Sequence, residues 1–286
     1  MVIIFFIYEI HVHQDCEAYL RNYGYLRTEP GDWTQQRQGR KGKRGKHVGT
    51  RKTKATKKTN RGALKLAISD LQRFAEIKKT GKLDRETRDL IRRKRCPHSD
   101  PVPMVMTRST AHSAHPQPGG TIRKWGRVDL TYRINSYPGE NRLLREEVDE
   151  TIARAFQVWA DVTPLKFRLV AEKADIEIEF ARGKHGNCRF HFDGSGNTLA
   201  HAYFPGEGLL GDVHFDAAER WTIQSPQGTN LFIVAVHELG HSLGLDHAEH
   251  RDAVMYPWYP GYLGSSYIFE LPAVDVMAIQ ALYGAP

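Results

Sequence analysis

His237 and His241, with Glu238 beside the first of them, are the residues of this sequence best placed to do chemistry. A spacing of four on a helix puts both imidazoles on one face, where they can grip a single zinc ion. A carboxylate next to a zinc-activated water can take its proton and pass it to a leaving amine, which is the proton traffic that amide hydrolysis requires. Gly244 can adopt positive φ past the end of the helix, so the chain can turn back and His247 can supply a third ligand. The fourth position stays open for water and substrate. Any one of these histidines alone reads better as an ordinary surface or core residue; the eleven-residue pattern from His237 to His247 does not.

These side chains need a helix under them and a sheet behind it. The sequence predicts that helix from about Asn230 to Leu243, and a final one over Ala273 to Tyr283. Leu144, Val148, Ile152, Ala155, Phe156 and Trp159 recur with a 3.6-residue period and predict an amphipathic helix packed on a sheet. Leu130–Ile134, Phe167–Val170 and Asp175–Phe180 read as strands, with His201 and His214 on two further strands. The class is α+β. Upstream, Glu17–Leu26, Ala63–Ile77 and Asp84–Arg93 predict three small helices, the last with Asp84 as its N-cap.

The 286 residues suffice for one or two domains, and 40% hydrophobic with 26% charged residues is an ordinary globular balance. No run of about 18 apolar residues occurs, which argues against a transmembrane helix. Charge divides the chain: residues 1–126 carry +17 and residues 127–286 carry −9, with twelve Lys or Arg and no acid in the tract 37–61. That tract reads as a solvated loop or as a polyanion contact. It lacks the aromatic interleaving of single-strand binders and any nucleic-acid fold signature, so no nucleic-acid partner is expected. Cys16, Cys96 and Cys188 are an odd number spread along the chain, so no disulfide framework holds the fold. Cys16 has no evident role beyond half of a transient disulfide or a gene-boundary artefact.

The extended histidine pattern, followed eight residues later by Val254-Met255-Tyr256-Pro257, resembles the metzincins, where Met255 would form an apolar floor under the zinc. His185-Gly186, Phe192-Asp193-Gly194-Ser195-Gly196-Asn197-Thr198-Leu199-Ala200-His201-Ala202, Gly211-Asp212-Val213-His214-Phe215-Asp216 and Glu219 narrow the resemblance to the matrix metalloproteinases. Tyr19-Leu20, Leu71-Gln72-Arg73-Phe74 and Thr80-Gly81-Lys82-Leu83-Asp84 extend it into the family's prodomain.

The resemblance implies a five-stranded mixed sheet with three helices, preceded by a small three-helix prodomain. It implies a catalytic zinc, a structural zinc and several calcium ions. Carried over by position, the structural zinc would use His185, Asn187, His201 and His214. One calcium would use Asp175, Asp212 and the carbonyls of Gly208 and Leu210; another would use Asp193, Asp216, Glu219 and the carbonyls of Gly194, Gly196 and Thr198. Peptide substrate would pair near Leu199 and Ala200, with Pro257, Trp258 and Tyr259 walling the main side-chain pocket. The implied activity is that of a secreted, monomeric zinc endopeptidase made as a latent zymogen and cutting extracellular matrix proteins, collagen among them. A catalytically weak relative acting as a binding protein is the alternative.

Arg95-Cys96-Pro97-His98-Ser99-Asp100 resembles the family's cysteine switch, with Cys96 as zinc ligand in the latent form and Arg95 paired to Asp100. Lys94 and Pro97 stand where the family has Pro and Gly, which predicts a looser latch. Arg92-Arg93-Lys94-Arg95 resembles a proprotein-convertase site, or is simply a basic helix end. The expected organisation is an apolar segment 1–14 that makes a poor signal peptide, a prodomain 15–96, a linker 97–120 and a catalytic domain 121–286, ending where larger relatives continue into a hemopexin-like propeller.

The structural zinc site departs furthest from the family. Asn187 holds the place of the usual Asp, and one extra residue lies between His185 and Asp193. Four readings stay open: Cys188 as fourth ligand, Asn187 or water in that place, His191 as a replacement, or Cys188 as an uninvolved thiol.

Overall fold

The computed structural model describes residues 15–26, 54–101, 123–139, 143–206, 209, 211–223, 225–264 and 268–286. The chain divides into two compact units, Met1–Ile91 and Arg92–Pro286. In the first, α1 covers residues 15–22, α2 spans Lys54–Phe74 and α3 spans Arg85–Ile91. Ile68 and Leu71 are buried on α2 together with Ala67 and Phe74. Helix α2 starts nine residues before the expected Ala63, so the end of the basic tract is helical rather than loop. Lys and Ala in Lys54–Lys58 are good helix formers, and no Gly or Pro interrupts them. The rest of the tract, 37–53, lies outside the described residues, as does the apolar segment 1–14.

Gln72 ties α2 to α3 by donating to Thr87 Oγ1 at 2.7 Å and accepting from the Thr80 and Gly81 amides at 2.8 Å. Asp84 caps α3 as expected, its Oδ1 accepting from the Thr87 amide at 3.0 Å. Cys16 is buried, and burial pushes its thiol up to about 11.

The second unit is built on one sheet. Strands β1 (Asp129–Ile134), β2 (Lys166–Leu169), β3 (Ile176–Ala181), β4 (Ala200–Ala202) and β5 (Val213–Asp216) lie in the order β2-β1-β3-β5-β4, with only β4 antiparallel to its neighbour. Alternation on β3 sends Ile176, Ile178 and Phe180 into the core. A short parallel pair, β6 (Trp221–Thr222) and β7 (Thr229–Asn230), leads into the central helix.

Helix α4 (Arg145–Ala160) buries Val148, Ile152, Ala155, Phe156 and Trp159 of the predicted stripe, whereas Leu144 caps the helix and is exposed; the Trp159 indole donates to the Val236 carbonyl of α5 at 3.1 Å. Helix α5 (Leu231–Ser242) is buried along almost its whole length, and the Asn230 side chain caps it by accepting from the Ile233 amide. Helix α6 (Ala273–Tyr283) completes the three expected for this unit. Each large apolar side chain so buried stabilises the fold by roughly 1.5–3 kcal/mol, which holds α5 rigid under the site.

Candidate metal centres

The first centre sits at the C-terminal end of α5. Past Leu243 the chain reverses at Gly244, whose φ is +108; a Cβ there would collide with the Arg123 carbonyl, so the reversal needs glycine. The turn brings His247 against His237 and His241, with ring centroids 4.8–5.4 Å apart. Each imidazole directs its Nδ1 at an oxygen: His237 to the Val254 carbonyl at 2.7 Å, His241 to the Leu245 carbonyl at 2.7 Å and His247 to Asp100 Oδ1 at 2.8 Å. Such partners fix each Nδ1 as the protonated nitrogen and leave Nε2 with its lone pair free.

Those Nε2 atoms converge with Cys96 Sγ, all four donor atoms lying within 4.8 Å of one another. The Nε2 atoms of His237 and His247 are buried with no hydrogen-bond partner. Buried polar atoms without partners are costly, so a convergent set of them is the signature of a metal position. Burial lowers the His237 pKa to about 4 and holds those of His241 and His247 well below the usual range, keeping all three neutral as ligands must be. Glu238 sits alongside, its Oε2 3.7 Å from Cys96 Sγ, and burial raises its pKa to about 8.

Met255 is buried beneath the centre as expected, packed so closely on α5 that a Cβ on Gly240 would strike its sulfur. Asp275 of α6 holds this turn by accepting from the Val254 and Met255 amides at 2.8 and 3.2 Å. Nothing in the sequence marks that role, since a single acid on an amphipathic helix looks like any solvated one.

Residues 94–100 form a latch over the centre. The Arg95 amide donates to the Asn197 carbonyl at 2.8 Å and the Cys96 amide to the Pro257 carbonyl at 3.0 Å, while the Lys94 carbonyl accepts from the Tyr259 amide at 3.0 Å. The latch therefore lies between the 197–198 segment and the 257–259 wall, like an added strand. Leu199 and Ala200, expected at the pairing edge, are buried just beyond it. Below Cys96 a cavity of about 30 Å³ remains, bordered by Leu199, Val234, His237, Tyr256, Pro257 and Trp258.

Arg95 makes two contacts with Asp100, at 2.6 and 3.1 Å, and its guanidinium lies 4.7 Å from the centre of the Trp258 ring. Its side chain is 1% exposed. That corrects the convertase reading: a protease must draw the residues around its cut into an extended, open strand, and Arg95 is locked away. The structure also shows no loosening at the two unusual positions. Lys94 donates to Glu219 Oε2 at 2.7 Å and Thr229 Oγ1 at 2.9 Å. His98, following Pro97, is buried among Phe190, Phe204 and His241 and meets the Ala202 carbonyl.

The second centre gathers His185, Cys188, His201 and His214, again with donor atoms within 4.8 Å of one another. Strand register sets it up, because His201 of β4 lies directly opposite His214 of β5. Asn187 and His191 are exposed and stand outside this group.

The acidic positions are engaged by protein donors. Asp193 Oδ1 accepts from the Thr198 amide at 3.3 Å, Glu219 from the Gly196 amide and Lys94, and Asp216 Oδ1 from the Ala218 amide at 2.7 Å. Asp216 Oδ2 is buried without a partner, which fits a cation beside it. Asp175 is paired with Arg127 and Thr131, and Asp212 Oδ1 accepts from the Glu177 amide at 3.1 Å. Gly208 and Leu210 lie outside the described residues.

A sheet closed by one antiparallel strand, over a helix that carries two histidines, turns at a glycine to a third and rests on a buried methionine, defines a metzincin. Residues 124–284 match the family model described as Matrixin, peptidase M10, and the chain belongs to that family. It is similar to rat macrophage metalloelastase, with 46% identity over 80% of this chain and 46% of the relative. Mouse stromelysin-1 is 47% identical over 77% of this chain and 43% of the relative. The chain thus spans somewhat under half the length of these relatives. Matrixins carry catalytic and structural zinc together with calcium, and each of the two His/Cys groups brings four donor atoms close enough together to hold a metal ion.

Proposed function

We propose that this protein is a secreted zinc endopeptidase made as a latent zymogen, cutting proteins of the extracellular matrix. The convergence of the unpartnered His237 and His247 nitrogens with His241, beside Glu238, carries the reading. Zinc bound there would supply Lewis acidity toward a peptide carbonyl and make water acidic enough to be deprotonated near neutral pH. Glu238 takes the proton of the attacking water and returns it to the departing amine, so that the peptide bond and one water become an acid and an amine. The backbones of 197–198 and 257–259, which hold the latch, align the substrate once the latch has gone. The cavity beside Tyr256 and Trp258 receives an apolar substrate side chain.

Cys96 keeps the enzyme silent by occupying the position that water needs, since a thiolate is a strong zinc ligand. Maturation then requires cutting within the linker 97–120, which separates the prodomain 15–96 from a catalytic domain at 121–286. Asp193, Asp216, Glu219 and the carbonyls of Gly194, Gly196 and Thr198 hold one calcium; Asp175 and Asp212, with Gly208 and Leu210, hold another. The chain works as a monomer, and the basic tract 37–61 offers a secondary polyanion contact that heparin-affinity retention would test. Sequencing the N-terminus of active, secreted material tests maturation: a start near Thr121 agrees, whereas active enzyme still joined through Cys96 would refute the latch.

A further inference from the structure

The second centre departs from the ligand set that the family resemblance implies, in a way its own geometry explains. His185, Gly186, Asn187 and Cys188 form a tight turn in which the Cys188 amide donates to the His185 carbonyl at 3.1 Å. Gly186 takes φ +47 at its first corner. A turn of this kind sends its second corner outward and brings its two ends side by side. Asn187 is accordingly exposed, while His185 and Cys188 both point inward.

Inside, the four donors form one compact shell. His185 Nε2 and His201 Nε2 lie 3.0 and 3.1 Å from His214 Nδ1, and Cys188 Sγ lies 3.0 Å from His201 Nε2. His185 Nδ1 meets the Gly183 carbonyl at 2.9 Å, which fixes its tautomer and leaves Nε2 as a donor of electrons.

Tyr203 supplies a further observation. Its hydroxyl oxygen accepts from the Arg189 amide at 3.2 Å and lies 3.1 Å from Cys188 Sγ. A phenol oxygen that already accepts from a backbone N–H has its own hydrogen left to give, and the sulfur is where it goes. The hydrogen-bond chain from Arg189 through Tyr203 thus ends on Cys188 as an acceptor. The Phe190 carbonyl, 3.2 Å from the sulfur, is the partner for the thiol proton while no metal is bound.

We propose that the second zinc of this protein is held by three histidines and a thiolate, with Cys188 replacing the carboxylate that Asn187 cannot supply and Tyr203 donating a hydrogen bond to the ligating sulfur. Thiolate favours a soft or borderline metal such as zinc over the hard calcium of the neighbouring loops. It also neutralises one of the metal's charges, which an amide oxygen would not. His201 lies on β4 between Ala200 and Ala202, so the ion clamps the strand whose Ala202 carbonyl meets the latch.

Cobalt substitution of the full chain tests this without reference to catalysis. In Cys96→Ser protein, loaded with two cobalt ions, Cys188 is the one thiolate left to ligate, and Cys16 lies in the other unit. A near-ultraviolet sulfur-to-cobalt charge-transfer band is expected there, and expected to vanish in Cys96→Ser/Cys188→Ala. In a Tyr203→Phe variant of the Cys96→Ser protein the band should move to lower energy, because the sulfur lone pairs lose their hydrogen bond. Zinc content of Cys188→Ala after dialysis against a mild chelator should fall from two ions per chain toward one, with Asn187→Ala unchanged. Two-cobalt Cys96→Ser protein without the band would overturn the thiolate assignment, even if Cys188→Ala fails to fold. Loss of the second zinc in Asn187→Ala but not in Cys188→Ala would overturn it too, and an unmoved band in Tyr203→Phe would remove Tyr203 from the site.

Discussion

Asp100 Oδ1 lies 2.8 Å from His247 Nδ1, so a carboxylate carried by the latch orients one of the three histidines proposed to hold the catalytic zinc. The same oxygen receives the Arg95 guanidinium at 2.6 Å, and both side chains of that pair are almost wholly buried. Removing one partner of such a pair strands the other, at a cost of about 3–5 kcal/mol. Asp100→Ala should therefore release the latch and raise peptide cleavage by the uncleaved chain by roughly two powers of ten or more. Asp100→Asn, which keeps an acceptor but not the charge, should give a smaller rise. Cleavage assays on uncleaved protein read both, and no rise in Asp100→Ala would contradict a latch held by this carboxylate.

Cys96→Ser exchanges a strong ligand for a weak one without disturbing the backbone bonds to Pro257 and Asn197. Activity of the uncleaved chain should increase about tenfold or more, equivalent to some 1.4 kcal/mol lost from the closed state. Unchanged activity would remove Cys96 from the mechanism.

Lys94 occupies Glu219, a carboxylate expected to bind calcium once the latch departs. The lysine is about a third exposed, so screening reduces the pair to roughly 1 kcal/mol. Lys94→Ala should open the latch about fivefold and strengthen calcium binding by the uncleaved chain, measurable by calcium titration. Equal calcium affinity in the two proteins would show that Lys94 and the ion do not compete.

Gly240 faces Met255 with no room for a methyl group. Overpacking of this kind costs about 1–3 kcal/mol, so Gly240→Ala should lower the melting temperature and shift the methionine floor. A melting temperature equal to that of the parent would mean that the floor yields freely.

Much of the site was legible because its ligands are local. His237, His241 and His247 follow from helix spacing and one glycine, and β3 declares its inward face by alternation at Ile176, Ile178 and Phe180. What the sequence hid depends on distant partners. Tyr203 acts on Cys188 through a hydrogen bond across fifteen positions, Lys94 reaches Glu219 from 125 positions away, and Asp275 holds Met255 from another helix. The start of α2 was missed because polar residues with good helix propensity leave no periodic trace. The basic run 92–95 looked open to cleavage because a string of cationic residues carries no mark of the burial that Asp100 and Trp258 impose on Arg95.

The central claim, a zinc centre in which Glu238 moves the proton, is tested most directly by hydrolysis of a quenched peptide by matured protein alongside its zinc content. Glu238→Ala should keep zinc at His237, His241 and His247 yet lose cleavage by about 10²–10⁴-fold, the range a positioned general base supplies. Full cleavage by the zinc-loaded Glu238→Ala protein would contradict the account.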